Sequence, residues 1–292
     1  MNRIKLIHTQ LSSNRRLKQN NLSNLLNTLN IKNDLIKVEG CSSNSLIKII
    51  TLNNPKSLNA LSNKLLLQLA NVLNYLNRDP DTKIIILTGT GKSFVAGADI
   101  PQFKGTSTSD RLTSFDSLRI ITNIYHEVSK PIISAVNGYC LGGGFELAMV
   151  CDIIVASDKA TFGFPEIKLG LFPGAGGTQR LVRKIGYHKA MEFILTGEII
   201  PQEYLKSAGI VNHIVKHEEL IPKSIEIAEK ISKFGLVAIV AAKKAMQIAQ
   251  DTGLTNGVAI EKMLFDSIFS SQDKEIGVNA FIDKKQPVFL DK

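Results

Sequence analysis

Glu146 and Glu166 are the two residues of this chain whose surroundings suit acid–base chemistry. Glu146 stands in an otherwise apolar stretch (Phe145, Leu147, Ala148, Met149, Val150), and Glu166 follows Pro165 and the apolar Phe162-Gly163-Phe164. Neither has an oppositely charged residue one helical turn away, since Gly142 and Val150 flank the first and Phe162 and Gly170 the second. Buried glutamate is rare unless paired or functional. An apolar setting raises a carboxylate's pKa toward neutrality, where general acid–base catalysis needs it. One continuous helix through both would hold them about 30 Å apart. The intervening "DIIVAS" and Pro165 instead turn the chain back, so the two can converge. The residues alone leave a second reading open, one exposed glutamate on each of two short elements.

Two segments share a construction of strand, glycine-rich turn and helix start: "VAGADI" within Val95–Ile100 and "NGYCLGGGFE" within Asn137–Glu146. Helix N-termini carry unpaired N–H groups and positive partial charge, which favour a developing anion. Two such donors aimed at one point make an oxyanion hole, and losing one donor costs about 2.7–4 kcal/mol of transition-state stabilisation. The competing reading is that these glycines only let helices pack against strands.

Other chemistries fail on spacing. The run from Lys83 to Ile100 places Gly91-Lys92-Ser93 after an Ile84–Leu87 strand, but a phosphate-binding loop needs glycine where Ile86 stands. The dinucleotide pattern fails at Phe94, where its third glycine belongs. His213 and His217 lie in a strand-like segment, where residues four apart are separated by about 13 Å and cannot share a zinc ion. No Gly-x-Ser-x-Gly elbow is present, and Cys140 has no recognisable base beside it.

The elements that must position the two acids alternate. "SLIKIITL" reads as a strand, and "LSNKLLLQLANVLNYL" places Leu65, Leu69, Val72, Leu73 and Leu76 on one helical face with Ser62 as its cap. The Ile84 strand, a helix near Arg111–Val128, the strand "PIISAVNG", the short helix of Glu146 and the strand "DIIVAS" follow. Such alternation argues for an α/β architecture with largely parallel strands. After "PQEYLKSAG", a helix closed by Gly209, and the short strand "IVNHIVK", three helices are expected within 221–234, 236–250 and 255–269. In the last, Ile260, Met263, Leu264, Ser267 and Ile268 share one side. These helices form either a module packed on the core or an oligomer contact.

The 292 residues are 44% hydrophobic and 21% charged, as in ordinary globular chains, and no apolar run reaches the about 18 residues of a membrane span. Cys41, Cys140 and Cys151 read as buried thiols. Residues 1–33 hold six Lys and Arg and no acid, so the net charge of +9 falls to +3 for residues 34–292. Leu22, Leu25, Leu26 and Leu29 give that basic leader an apolar face, as in a transit peptide for the mitochondrial matrix. The near-neutral remainder argues against nucleic acid.

"SFVAGADI", "NGYCLGGGFELAMVCDI" and "FGFPEIKLGLFPGAGGTQRL" resemble the three core motifs of the crotonase (enoyl-CoA hydratase) superfamily, and the likeness runs from about Leu35 to the end. Beyond the leader that composition marks over 1–33, the resemblance implies a spiral core of ββα units over 34–220 and a helical trimerisation region over 221–292. It implies a homotrimer or a dimer of trimers. Its substrate class is acyl-CoA thioesters, with no separate cofactor, because coenzyme A is part of the substrate, and no metal.

By the same resemblance, the backbone N–H groups of Ala98 and Gly143 are the oxyanion donors and Glu146 and Glu166 the catalytic acids. Substrate contacts are implied at Ala96, Asp99, Ile100, Pro101, Gly142, Pro173 and Gly174, and at Lys56; Lys92 is a further candidate for the coenzyme A end. With both glutamates present, the implied reaction is hydration of a 2-enoyl-CoA in fatty-acid or branched-chain breakdown. A methylglutaconyl-CoA hydratase with RNA-binding relatives and a 3,2-enoyl-CoA isomerase are the alternatives. Phe164 departs from the glutamine that family hydratases often carry there, which leaves acyl-chain preference open.

Overall fold

The computed structural model describes residues 35–107, 109–110 and 117–292. The leader expected over 1–33 and the first part of the helix expected near 111–128 lie outside the described residues. The described part opens with an antiparallel pair, β1 (Ile36–Gly40) and β2 (Ile47–Leu52), followed by α1 (Asn63–Arg78). Leu65, Leu69, Val72, Leu73 and Leu76 are all buried on α1, and the Ser62 hydroxyl accepts the Leu65 N–H at 3.2 Å. The helix therefore starts at its capped serine and buries the face its spacing predicts.

Three turns of one pattern follow. The first is β3 (Ile84–Gly89), β4 (Ser93–Val95) and α2 (Ser117–Glu127). The second is β5 (Ile132–Val136), β6 (Tyr139–Leu141) and α3 (Gly143–Val150). The third is β7 (Ile153–Ser157), β8 (Thr161–Gly163), α4 (Gly177–Ile185) and α5 (Tyr187–Thr196). In each turn the first strand joins a six-stranded sheet, ordered β1-β2-β3-β5-β7-β10, and the second joins a four-stranded sheet, ordered β4-β6-β8-β9. The strands of successive turns pair in parallel, as Ile86↔Ile133 and Ile133↔Ile153 illustrate. Corresponding turns thus stack one above another, and so do the loops that connect them. The remaining elements are β9 (Ile199–Ile200), α6 (Gln202–Ser207), β10 (His213–Val215), α7 (Leu220–Ser232), α8 (Leu236–Ile248), α9 (Leu254–Ile268) and α10 (Gln272–Ile282).

β3 is buried on both faces, as its continuous apolar run requires. Ile84 and Ile86 pack with Ile133 and Val155 against Leu220 and Ala228 of α7, so Ile85 and Leu87 face the opposite layer. α7 is therefore part of the core of the sheet, and the boundary expected at 220/221 cuts this packing. Beyond the three expected terminal helices lies a fourth, α10, which begins at the Ser271 cap. On α9, Ile260, Leu264 and Ile268 are half-buried while Met263, Phe265 and Phe269 are exposed.

The last residues fold back as a clasp. Asp273 is buried and accepts the N–H groups of Leu290 and Asp291 at 2.7 and 3.2 Å on Oδ1. Asp291 in turn accepts the Leu236 N–H at 2.8 Å and pairs with the buried Lys83 ammonium at 2.8 Å. Removing one partner of such a pair strands a buried charge, whereas removing both does not. Asp291→Ala is expected to lower stability by about 1–3 kcal/mol. Combining it with Lys83→Met should restore most of that loss. Urea-unfolding midpoints test this, and an Asp291→Ala chain as stable as the parent would refute the clasp.

Candidate active site

β4 runs to Val95, and the chain then turns through Ala96 and Gly97 beside Leu61. The Leu61 N–H donates to the Gly97 carbonyl at 2.8 Å, and the Asp99 N–H donates to the Leu61 carbonyl at 3.4 Å. This one-residue parallel bridge consumes the groups on either side of Ala98 and leaves the Ala98 N–H outside it. One layer along, β6 ends at Leu141, and Gly142 in a left-handed conformation (φ 52°) starts α3 at Gly143. The first N–H groups of a helix have no acceptor within it, so that of Gly143 faces outward. The two turns touch: a Cβ on Gly144 would lie 2.2 Å from the Val95 carbonyl oxygen, and one on Gly143 would lie 3.9 Å from the Ala98 nitrogen. The structure thus brings the two expected donors together.

Glu146 sits in the first turn of α3, almost wholly buried at 1% exposure. Its Oε1 accepts the N–H groups of Ala175 and Gly177, both at 2.7 Å. Its Oε2 faces the Gly143 turn, 3.9 Å from where a Cβ on that glycine would be. Burial raises its pKa, while the two amides and the Arg180 guanidinium pull it back down. Glu166 lies in a 3₁₀ turn over Pro165–Leu169, with its Oε1 only 2.6 Å from where a Cβ on Gly142 would stand. Its Oε2 is buried and has no hydrogen-bond partner among the described residues. Burial, with the nearby Glu146 charge adding to it, raises Glu166 to about 7. The two acids therefore flank the Gly142–Gly143 peptide, one clamped by amides and one carrying an unsatisfied oxygen. The reading that leaves one exposed glutamate on each of two elements does not hold.

The remaining expected residues divide. Gly142 and Pro173 are buried at the site, and a Cβ on Gly177 would be 2.7 Å from Pro173 Cβ. Ala96 and Asp99 are half-buried on the Ala98 turn, and Ile100 and Pro101 are exposed in the 3₁₀ turn that follows. Gly174 is exposed on the loop before α4. Lys56 and Lys92 are exposed on adjoining turns, with Pro55 Cβ 3.3 Å from where a Cβ on Gly91 would stand. The Gly-Lys-Ser turn is tied to its neighbours, since Asn59 Nδ2 donates to the Thr90 carbonyl at 3.1 Å, Asn137 Nδ2 to the Gly91 carbonyl at 2.9 Å and the Thr90 N–H to the Leu52 carbonyl at 2.8 Å. Phe164 is fully buried and stacks on Phe145 with ring centroids 5.1 Å apart. It faces the core beneath the Glu146 loop. Cys140 is buried against the Gly144 carbonyl, and burial pushes its thiol well up. No group of three potential ligands among the described residues could hold a metal ion.

Three contributors were not anticipated from sequence: the amides of Ala175 and Gly177, and Arg180. A signal existed in "PGAGGTQR", because an arginine in the first turn of a helix opposes the helix dipole and needs a local reason.

Residues 42–292 match the family model described as enoyl-CoA hydratase/isomerase. The chain is 43% identical over 246 residues to a probable mitochondrial enoyl-CoA hydratase of Dictyostelium discoideum, covering 84% of this chain and 88% of that one. It is 41% identical over 261 residues to the mitochondrial enoyl-CoA hydratase of Pongo abelii, covering 89% of each. Among solved structures, subunit I of an enoyl-CoA hydratase from Geobacillus kaustophilus superposes with a TM-score of 0.84 at 37% identity, covering 88% of this chain and 98% of that chain.

The raised Glu166 pKa has a signed consequence for stability. Between its ordinary value of 4.5 and about 7, the folded chain keeps a proton that the unfolded chain has released. Stability contributed by this group therefore falls as pH rises through that window and is fully lost above it. Glu166→Gln removes the effect, so the variant should gain stability over the parent from pH 4.5 to 8, with Glu146 and Asp152, whose pKa values burial also raises, among the groups that set the residual slope. Parallel urea-midpoint curves for the two proteins across that range would overturn the assignment.

Proposed function

The chain belongs to the enoyl-CoA hydratase/isomerase family, and on that premise we propose that it is a hydro-lyase adding water syn across the double bond of a 2-enoyl-CoA to give the 3-hydroxyacyl-CoA. One observation carries the reading: two carboxylates in apolar surroundings meet beside the paired turns of Ala98 and Gly143. The thioester oxygen accepts from the two main-chain N–H groups, which stabilise it as it takes enolate character. Glu146, ionised and clamped at Oε1, orients the water with Oε2 and takes its proton as the water oxygen bonds to C3. Glu166, protonated near neutrality, gives its proton to C2. Each acid's environment suits its part, since the amides and Arg180 favour the anion of Glu146 while Glu166 Oε2 has no hydrogen-bond partner among the described residues. The two titrate as a coupled pair, so the pH–rate profile reports the pair.

An isomerase needs one carboxylate to shuttle one proton. The presence of two favours hydration over that alternative. Lys56 and Lys92, exposed on adjoining turns, suit the coenzyme A phosphates. The acid-free basic stretch 1–33 and the mitochondrial names of the Dictyostelium and Pongo relatives support a mitochondrial address. Exposed Leu254, Met263, Phe265 and Phe269 on and beside α9, with Phe281 on α10, support assembly through the C-terminal helices, as a trimer or a pair of trimers. Sedimentation should then read three or six times the 32.0 kDa chain. A monomer would remove the assembly reading and leave the chemistry untouched.

Crotonyl-CoA should lose its conjugated-enone absorbance on mixing with the purified protein. Glu146→Gln and Glu166→Gln should each lower kcat by about 10²–10⁴-fold with little change in KM. Conversion of a 3-enoyl-CoA to the 2-enoyl form without hydration would transfer the assignment to isomerisation.

A further inference from the structure

The loop that clamps Glu146 is itself held by one side chain. Arg180 Nη1 donates to the Ala175 carbonyl at 2.8 Å, on the residue whose N–H reaches Glu146 Oε1 at 2.7 Å. The guanidinium lies against Gly176, where a Cβ would come within 2.1 Å of Nη1 and where φ is +100°. Only glycine admits both that conformation and that approach. The guanidinium also lies over the Tyr125 ring of α2, 5.4 Å from its centroid. Tyr125 is in turn tied to α8, since Gln247 Nε2 donates to the Tyr125 carbonyl at 2.7 Å. A half-buried cation in the first turn of a helix, at the positive end of its dipole, needs a compensating charge. Of the acids near it, the Glu146 carboxylate answers it most strongly, with Asp251 adding to it.

We propose that Arg180, which touches no reacting atom, is a positioning residue for hydration: it fixes the Ala175–Gly177 loop so that both amides stay on Glu146 Oε1, and it supplies the positive charge that balances the carboxylate. The inference rests on the reading of Glu146 as the group that orients water. The groups that face this pair are Glu166 from its 3₁₀ turn, Tyr125 from α2 and Asp251 beyond α8; Asp152, which is paired with Lys243 of α8 at 2.7 Å, acts on Tyr125. Of these, Arg180 is the cation that lowers the Glu146 pKa. Its removal therefore moves the acidic limb of kcat to higher pH.

Arg180→Gln should lose about 10²-fold in kcat, the cost of a misplaced catalytic group, with KM changed less than about three-fold and the acidic limb shifted upward. Arg180→Lys keeps the charge but not the planar fork, so it should return the limb toward the parent position while kcat stays depressed. The double variant Glu146→Gln/Arg180→Gln should be little slower than Glu146→Gln alone, because the two act as a unit. Circular dichroism confirms that each variant is folded. An unshifted acidic limb in folded Arg180→Gln, or losses that multiply in the double variant, would overturn the proposal. A Glu146→Gln enzyme of parental rate would instead sink the reading of Glu146 on which it rests.

Discussion

Two carboxylates in one dry cleft repel each other, and each gives up its hydration, so the site exists only if something fixed carries their charge. In this protein the carrier is mostly backbone. Oε1 of Glu146 receives two amides from the loop before α4, a charge-assisted pair at 2.7 Å each. Glu166 receives no such help at Oε2, and its titration moves to about 7. Unequal support of two like groups pushes their titrations apart, which is what the proposed division into base and acid requires. The rest of the structure serves that inequality.

The spiral delivers it by repetition. Because β3, β5 and β7 pair in parallel and β4, β6 and β8 do the same, every turn returns the chain to the same edge one layer further along. The first turn leaves the Ala98 amide at that edge, the second leaves Gly143 and Glu146, and the third leaves Glu166 and the amides of Ala175 and Gly177. Small residues at 142–144 let the layers close to backbone contact. The polar groups of the candidate site therefore sit on turns and short helices that directly follow the stacked strands, which keeps their geometry fixed.

The C-terminal helices reach the same machinery from the other side. Lys243 of α8 pairs with Asp152 at 2.7 Å and also donates to the Lys130 carbonyl at 2.9 Å, where β5 begins. Asp152 accepts the Ile132 N–H at 2.7 Å, so one charged pair joins α8 to the starts of β5 and β7. The clasp of Asp273, Asp291 and Lys83 secures the end of the chain to the start of β3. The terminal helices are thus anchored to the catalytic layers by buried polar contacts while parts of α9 and α10 keep apolar side chains outward.

Much of this was legible in the residues. Helical spacing and the Ser62 cap predicted α1, and the unbroken Ile84–Leu87 run predicted a strand buried on both faces, because these signals are local and strong. The family resemblance named Ala98, Gly143, Glu146 and Glu166, and the bare residue types already marked the two acids as unusual. Local pattern could not place α7 within the core or find α10, whose apolar face is weak and whose start depends on one serine. Nor could it join Glu146 to Ala175, 29 residues on, or Arg180 to Tyr125 across two helices. Such pairings cost loop-closure entropy and are settled only when all the layers stack. The sequence determined which groups are available for the proposed chemistry. The tertiary structure decided how each is held, because the protonation of a buried acid depends on neighbours that the chain brings from far along its length.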